Sequence, residues 1–272
     1  MKTLKNKTLI YDNTCPMCDA YSNAFVSKGM LDKDGRKSFA EADTGMLAKL
    51  DKDRARHEIP LVDNHTGEVL YGLDGLLLIV ANALPVLKPV LAKQWFKKML
   101  TPLYKFISYN RRVIAGSFYG GVGFDCAPDF HLGWRMALIV LGIGYTALGI
   151  YLFSLIAGVS NVLMLFAMVL LYFVALIATS LVYNRTFEEK VDYAGHLATL
   201  GVVESTLFVL TALIARVTGM PELLFAGQGA GRLLATYLHA KRIENNGYSY
   251  KLNYTFAAGA VMLIVYLAHI LR

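Results

Sequence analysis

The stretch LIYDNTCPMCDAY, Leu9–Tyr21, decides how the N-terminal part of this 272-residue chain is read. An apolar run ends at Asp12, a polar turn follows at Asp12-Asn13-Thr14, and two cysteines then flank Pro16 and Met17. From Pro16 onward Met17, Tyr21 and Phe25 recur at every fourth position, the spacing of one helix face, and Gly29 stands where a helix closes on a left-handed residue. Proline is favoured at the first helical position. The spacing therefore predicts a strand over 7–11 and a helix from Pro16, with Cys15 at the N-cap and Cys18 about one turn inside. Unpaired N–H groups and the helix dipole concentrate positive potential at that end. A thiol placed there ionises more readily, and thiolate is the reactive form. Cys15 is thus the expected nucleophile, and Cys18 is placed to resolve a mixed disulfide.

The rival reading of the pair is half of a metal site. Zinc wants four ligands, and no second Cys/His pair at knuckle spacing follows; His57 and His65 are the other local candidates. Redox chemistry is the preferred reading, with no metal expected. Further along, RKSFAEAD suggests a second strand and TGMLAKLDKDR a short helix. HEIPLVDNHTGEVLYG suggests a hairpin turning at Asn64 to Gly67, and LDGLLLIVANALP a helix ending near Pro85.

The resulting order, β-α-β-α-β-β-α with the CxxC at the first strand-to-helix turn, resembles the thioredoxin fold. In that fold a cis-proline precedes the third strand and lies against the CxxC, and Pro60 occupies the matching place. The trio Asp12, Cys15 and Cys18 within YDNTCPMC resembles the signature of the DCC family of thiol–disulfide oxidoreductases, as do GLDGLL and YKFISYNRR more loosely. The resemblance covers roughly residues 5–115. It implies a thioredoxin-like domain with a dithiol site and names no client. Family members often carry glycine where this chain has Asn13, and asparagine also tolerates a left-handed backbone. Asp12 has two readings: a carboxylate that exchanges a proton with the dithiol, or a cap for the turn and helix start.

Beyond this region the composition changes. Apolar residues make up 56% of the chain and charged residues 17%, against about 45–50% and about 25% in soluble proteins. The apolar excess lies after residue 133. The apolar stretch behind the basic Met1–Lys7 is only Thr8 to Tyr11, shorter than a signal peptide core, so the N-terminal domain is expected to stay in the cytoplasm. Three parts are expected: 1–86, an α/β thioredoxin-like domain; 87–132, a basic connector; and 133–272, an all-α membrane domain. Between Gly75 and Phe124 there is no Asp or Glu but seven Lys or Arg, interleaved with Trp95, Phe96, Leu100, Leu103, Tyr104, Phe106 and Ile107. That pattern suits an anionic membrane surface. Nucleic acid is the rival for such a patch and is set aside, because apolar spans follow directly. A solvated outer helix of the soluble domain is the plainer alternative.

Five stretches approach the roughly 20 residues a bilayer needs: 134–157, 161–183, 193–216, 221–240 and 253–271. With five spans and a cytoplasmic N-terminal domain, Arg185, Lys190, Lys241, Arg242 and Lys251 all fall inside, as the positive-inside rule asks. A multi-pass inner (cell) membrane protein is expected. Glu204 and Arg232 lie mid-span and are expected to pair, with Gln228 and His196 nearby. Such a cluster suits a quinone headgroup, a proton relay or a polar substrate; it equally suits a pair that only fixes helix register. Gly227, Gly229 and Gly231 permit close helix approach, and His239 and His269 are expected at the interface. Cys126, just before the first span, is either a spare thiol or an exchange partner for Cys15.

Two main functions remain, beside a third that couples the two parts, a quinone at Glu204 and Arg232 exchanging electrons with the thiols. One is a membrane-anchored thiol–disulfide oxidoreductase acting on protein or small-molecule thiols and disulfides. The other is a transport or ligand-binding protein whose working site is Glu204 and Arg232 and whose dithiol domain senses redox state or is structural.

Overall fold

The computed structural model describes residues 2–116, 126–159, 161–183 and 186–270. The chain forms two compact units, Met1–Trp134 and Arg135–Arg272.

The first unit is built on a four-stranded sheet of order β2-β1-β3-β4, with β1 Lys7–Tyr11, β2 Arg36–Ser38, β3 Pro60–Asp63 and β4 Val69–Tyr71. β1 runs parallel to β2 and antiparallel to β3, and β3 antiparallel to β4. The continuous apolar run of β1 marks a strand covered on both faces. Successive side chains point to opposite sides of a sheet. Accordingly Leu9 and Tyr11 enter a core with Cys15, Cys18, Leu31, Ile59 and Ile79, while Ile10 enters another with Phe39, Leu50, Ala55, Val62 and Tyr71. Leu9 and Ile10 are fully buried; each contributes about 1.5–3 kcal/mol on removal from water.

Helix α1, Pro16–Ser27, starts and stops where its sequence directs. Pro16 is its first residue, and Gly29 takes φ +67° while Met30 N–H donates to the Phe25 carbonyl at 2.8 Å. The single helix expected over 44–54 is two, α2 Thr44–Leu47 and α3 Lys52–His57. The break has a local cause: Asp51 caps a new start by accepting Arg54 N–H at 3.0 Å. The hairpin turn forms where expected, with Asp63 accepting the N–H groups of His65 and Thr66 and Gly67 at φ +75°. Helix α4, Leu73–Ala83, follows Gly72, whose φ is +60° and which has the Tyr104 ring 3.0 Å from where a Cβ would stand. Both features require glycine there.

A 3-10 turn, Pro85–Leu87, and a short helix α5, Lys88–Leu91, lead into α6, Gln94–Ala115. α6 does more than connect. Ser108, Asn110, Arg111 and Val113, toward its C-terminal end, are buried, whereas Trp95, Met99 and Leu103 nearer its start are exposed.

The second unit is helical: α7 Leu132–Ala157, α8 Val162–Tyr183, α9 Phe187–Thr218, α10 Glu222–Asn246 and α11 Lys251–Ile270. Five helices thus stand at the five expected stretches. Among the described residues, α7, α8 and α9 are long and apolar enough to cross a membrane. α10 falls short because Gln228, Arg232, His239 and Arg242 interrupt its apolar run. α9 has 32 residues and begins earlier than expected, at a capping box between Thr186 and Glu189. Gly227 lies so close to α9 that a Cβ would stand 2.2 Å from Thr211; Gly229, in contrast, faces open space.

Candidate functional site

The turn between β1 and α1 is held by its own side chains. Asp12 Oδ1 accepts the Thr14 N–H at 2.9 Å and the Thr14 hydroxyl at 2.6 Å. Cys15 N–H donates to the Asp12 carbonyl at 3.2 Å. The turn is kept with Asn13 in place of glycine, and without a left-handed backbone there: Asn6 is the one non-glycine residue with positive φ among the described residues. The Asp12–Thr14 bonds shape the turn without it.

Cys15 sits at the N-cap with extended backbone, and its sulfur accepts the Cys18 N–H at 3.4 Å. Both thiols are free and buried. The Cys18 thiol donates toward the Cys15 sulfur, and this bond is the main reason the Cys15 pKa falls from the ordinary thiol value to about 6. Burial opposes the shift; the Cys18 N–H and the charge of Arg111 reinforce it. The same bond, with burial, pushes Cys18 well up. One sulfur is thus an anion at neutral pH, and its neighbour keeps its proton.

Arg111 was missed by sequence reasoning, which saw it as one cation in a basic run. It is 7% exposed and donates to the Arg56 carbonyl at 3.0 Å and to the Cys126 carbonyl. Its Nη2 lies 3.9 Å from Asp12 Oδ2, as does that of Arg112. The available signal was positional: Arg111 follows Ser108 by three residues and Tyr104 by seven and so shares a helix face with them.

A cavity of about 370 Å³ opens beside the dithiol. Cys18, Asp12, Arg111, Tyr104, Ile59 and Cys126 are among its lining residues. Cys126 is buried and shares this wall with Cys18. Pro60 begins β3 opposite Tyr71, and its peptide bond is trans, contrary to the cis bond implied by the thioredoxin resemblance. Gly72 N–H donates to the Ile59 carbonyl at 2.8 Å, so the chain enters β3 already in register; it is Ile59, one residue earlier, that reaches the cavity. His57 contacts Asp129 Oδ2 at 3.0 Å and stacks on Tyr109, and His65 is exposed. No group of three His, Cys, Asp or Glu side chains that could hold a metal occurs among the described residues.

A family model described as DCC1-like thiol-disulfide oxidoreductase matches residues 9–117. Those residues are a DCC1-like domain. The match runs from β1 through α6, so Arg111 lies within the DCC1-like domain together with Asp12, Cys15 and Cys18. Neither a curated protein nor a solved structure matches the chain.

The second unit holds the other expected cluster. Arg232 Nε lies 2.6 Å from Glu204 Oε1, so these two meet. They line a cavity of about 30 Å³ with Tyr172 and Ser205, room for about one water and too little for a ring. Gln228 and His196 are buried but do not line it; His196 lies against the Tyr248 ring. His239 is not interfacial as expected. It is 1% exposed, stacks on Phe256, and is held by the Tyr193 hydroxyl at 3.0 Å and Asn253 Oδ1 at 2.8 Å. His269 lies where side chains are outside the described residues.

Proposed function

We propose that this protein is a membrane-anchored thiol–disulfide oxidoreductase with Cys15 as nucleophile and Cys18 as resolving thiol. The observation that carries this is the placement of Cys15 at the N-cap of α1, its sulfur accepting the Cys18 N–H at 3.4 Å, within the residues that match the oxidoreductase family model. The Cys15 thiolate attacks a client disulfide. An S–S bond forms to Cys15, and the client's first sulfur leaves as a thiolate, taking up a proton. Cys18 then loses its proton and attacks the Cys15 sulfur. The Cys15–Cys18 disulfide closes and the client's second thiolate departs, so the client gains the two electrons the dithiol loses. Asp12 is proposed to hold the turn and to take the Cys18 proton. Pro60 is proposed only to frame the site, since Ile59 makes the wall.

The strand order and directions support a thioredoxin-like fold for the DCC1-like domain. Three helices fit to cross a membrane support anchoring. We extend this to five spans, an inner (cell) membrane and a cytoplasmic N-terminal domain, on the loop charges. The exposed Trp95, Met99 and Leu103 with neighbouring lysines support contact with an anionic cytoplasmic leaflet. The transport or ligand-binding reading retains the buried Glu204–Arg232 pair in its favour, but the cavity there admits only water-sized groups. The test is trapping in cells with Cys18→Ser. A mixed disulfide on Cys15 that disappears in the Cys15→Ser/Cys18→Ser double variant is the expected result. Absence of any captured thiol, with a dithiol that never cycles, overturns the reading.

A further inference from the structure

The dithiol lies beneath the surface: Cys15 is 0% and Cys18 4% exposed. A folded client reaches sulfurs so enclosed only when the turn opens locally, whereas a small molecule that fits beside them needs no opening. What reaches the pair is the cavity of about 370 Å³, which touches Cys18 and falls in the lower part of the roughly 300–1,000 Å³ range of small-molecule sites. Its wall is mostly apolar, supplied by residues such as Phe39, Ile59 and Leu76. That surface disfavours charged tripeptide disulfides, because each charge would be desolvated without a partner.

The polar exceptions are informative. Arg111 Nε is buried and has no hydrogen-bond partner among the described residues, and neither has Asp12 Oδ2. A buried donor left unmade is costly, so the Arg111 N–H asks for an acceptor oxygen. Tyr104, whose hydroxyl accepts the Ile59 N–H at 3.3 Å and also pairs with Ser108, adds a further polar group to the wall. The cavity therefore offers an N–H donor on an apolar wall beside a two-electron donor.

Resting on the oxidoreductase reading, we propose that this cavity binds a quinone, which takes the electrons of the reduced Cys15–Cys18 pair. The balance is one quinone, one thiolate (Cys15), one thiol (Cys18) and one proton from solvent. The S–H bond of Cys18 breaks, the Cys15–Cys18 bond forms, and both quinone carbonyls become hydroxyls. A quinone is apolar, carries acceptor oxygens, and resides in the membrane that the same chain is fit to enter. Cys18 is the sulfur that meets it, since Cys15 does not line the cavity.

The test uses the full chain in detergent, reduced, with Cys126→Ser present so that two thiols report. The first measurement equilibrates it in dithiothreitol redox buffer. If no Cys15–Cys18 disulfide forms, the oxidoreductase reading itself fails. If it forms, the reduced protein is mixed with a decyl-substituted benzoquinone, and thiol loss and hydroquinone absorbance are followed. Glutathione disulfide at equal concentration is the comparison. The quinone is expected to oxidise the pair at least tenfold faster, and Leu76→Trp or Ile107→Trp, which fill the cavity, to slow that reaction at least tenfold while the dithiothreitol equilibrium is kept. Two fillers are used so that one misfolded variant does not decide the matter. A quinone no faster than glutathione disulfide, or folded fillers that leave its rate unchanged, overturns the proposal.

Discussion

Replacing Cys18 with alanine removes the largest cause of the low Cys15 pKa. With a pKa of about 6, Cys15 is about half thiolate at pH 6. A thiol at the unperturbed value of about 8.5 would be about 0.3% thiolate there, a ratio of roughly 150. The Cys18 N–H, 3.4 Å from the sulfur, and the charge of Arg111 remain in Cys18→Ala. The thiolate fraction at pH 6 is therefore expected to fall by at least tenfold. The assay is a pH titration of the thiolate ultraviolet band in a Cys126→Ser background, where Cys18 in the parent stays protonated throughout. The lowered pKa also has a signed consequence for the redox equilibrium. The reduced form gains nothing well below pH 6, gains roughly a factor of ten at pH 7, and reaches its full gain above about 8.5. At pH 7 this raises the two-electron potential by about 30 mV, and the potential's slope against pH is expected to halve, from about 59 to about 30 mV per pH unit, above pH 6. A midpoint near 6 that survives in Cys18→Ala, or a potential with no break in slope near pH 6, refutes the reasoning.

Arg111→Met strips the donor from the Arg56 and Cys126 carbonyls and a cation from beside Asp12; an expected loss of about 2–4 kcal/mol, read from denaturant unfolding, accompanies a rise in the Cys15 titration midpoint, and an unchanged midpoint would show that the charge does not reach the sulfur. In the second unit, Glu204→Gln and Arg232→Met each break a buried pair and are expected to cost about 3–5 kcal/mol, whereas the double variant costs less than their sum by more than 1 kcal/mol; additive effects in detergent thermal unfolding would show that the two side chains act independently.

The elements of the DCC1-like domain were legible because each is fixed by neighbours in sequence. Pro16 starts a helix and Gly29 ends it, the run Thr8–Tyr11 suits a strand covered on both faces, and Asp63 with Gly67 makes a hairpin. These are short-range effects of backbone geometry and local hydrogen bonds, so the chain carries them in order. The pairing of Glu204 with Arg232 was legible for another reason, the cost of an unpaired charge in an apolar helix bundle.

The site's third dimension came only from tertiary structure. By sequence Arg111 was one of seven cations, and nothing local says that it folds inward, because its depth depends on which face of α6 meets the sheet. The cavity beside Cys18 is drawn from β1, α1, α3, α4 and α6 together with Phe39, Ile59 and Cys126, and no sequence spacing encodes a void. Pro60 was placed correctly along the chain and wrongly in bond geometry, since β3 enters its register with a trans bond. The amino-acid order determined the dithiol and the helix start that holds it; the packing of distant segments decided what can reach it, because access is a property of surfaces that meet only when the chain is folded.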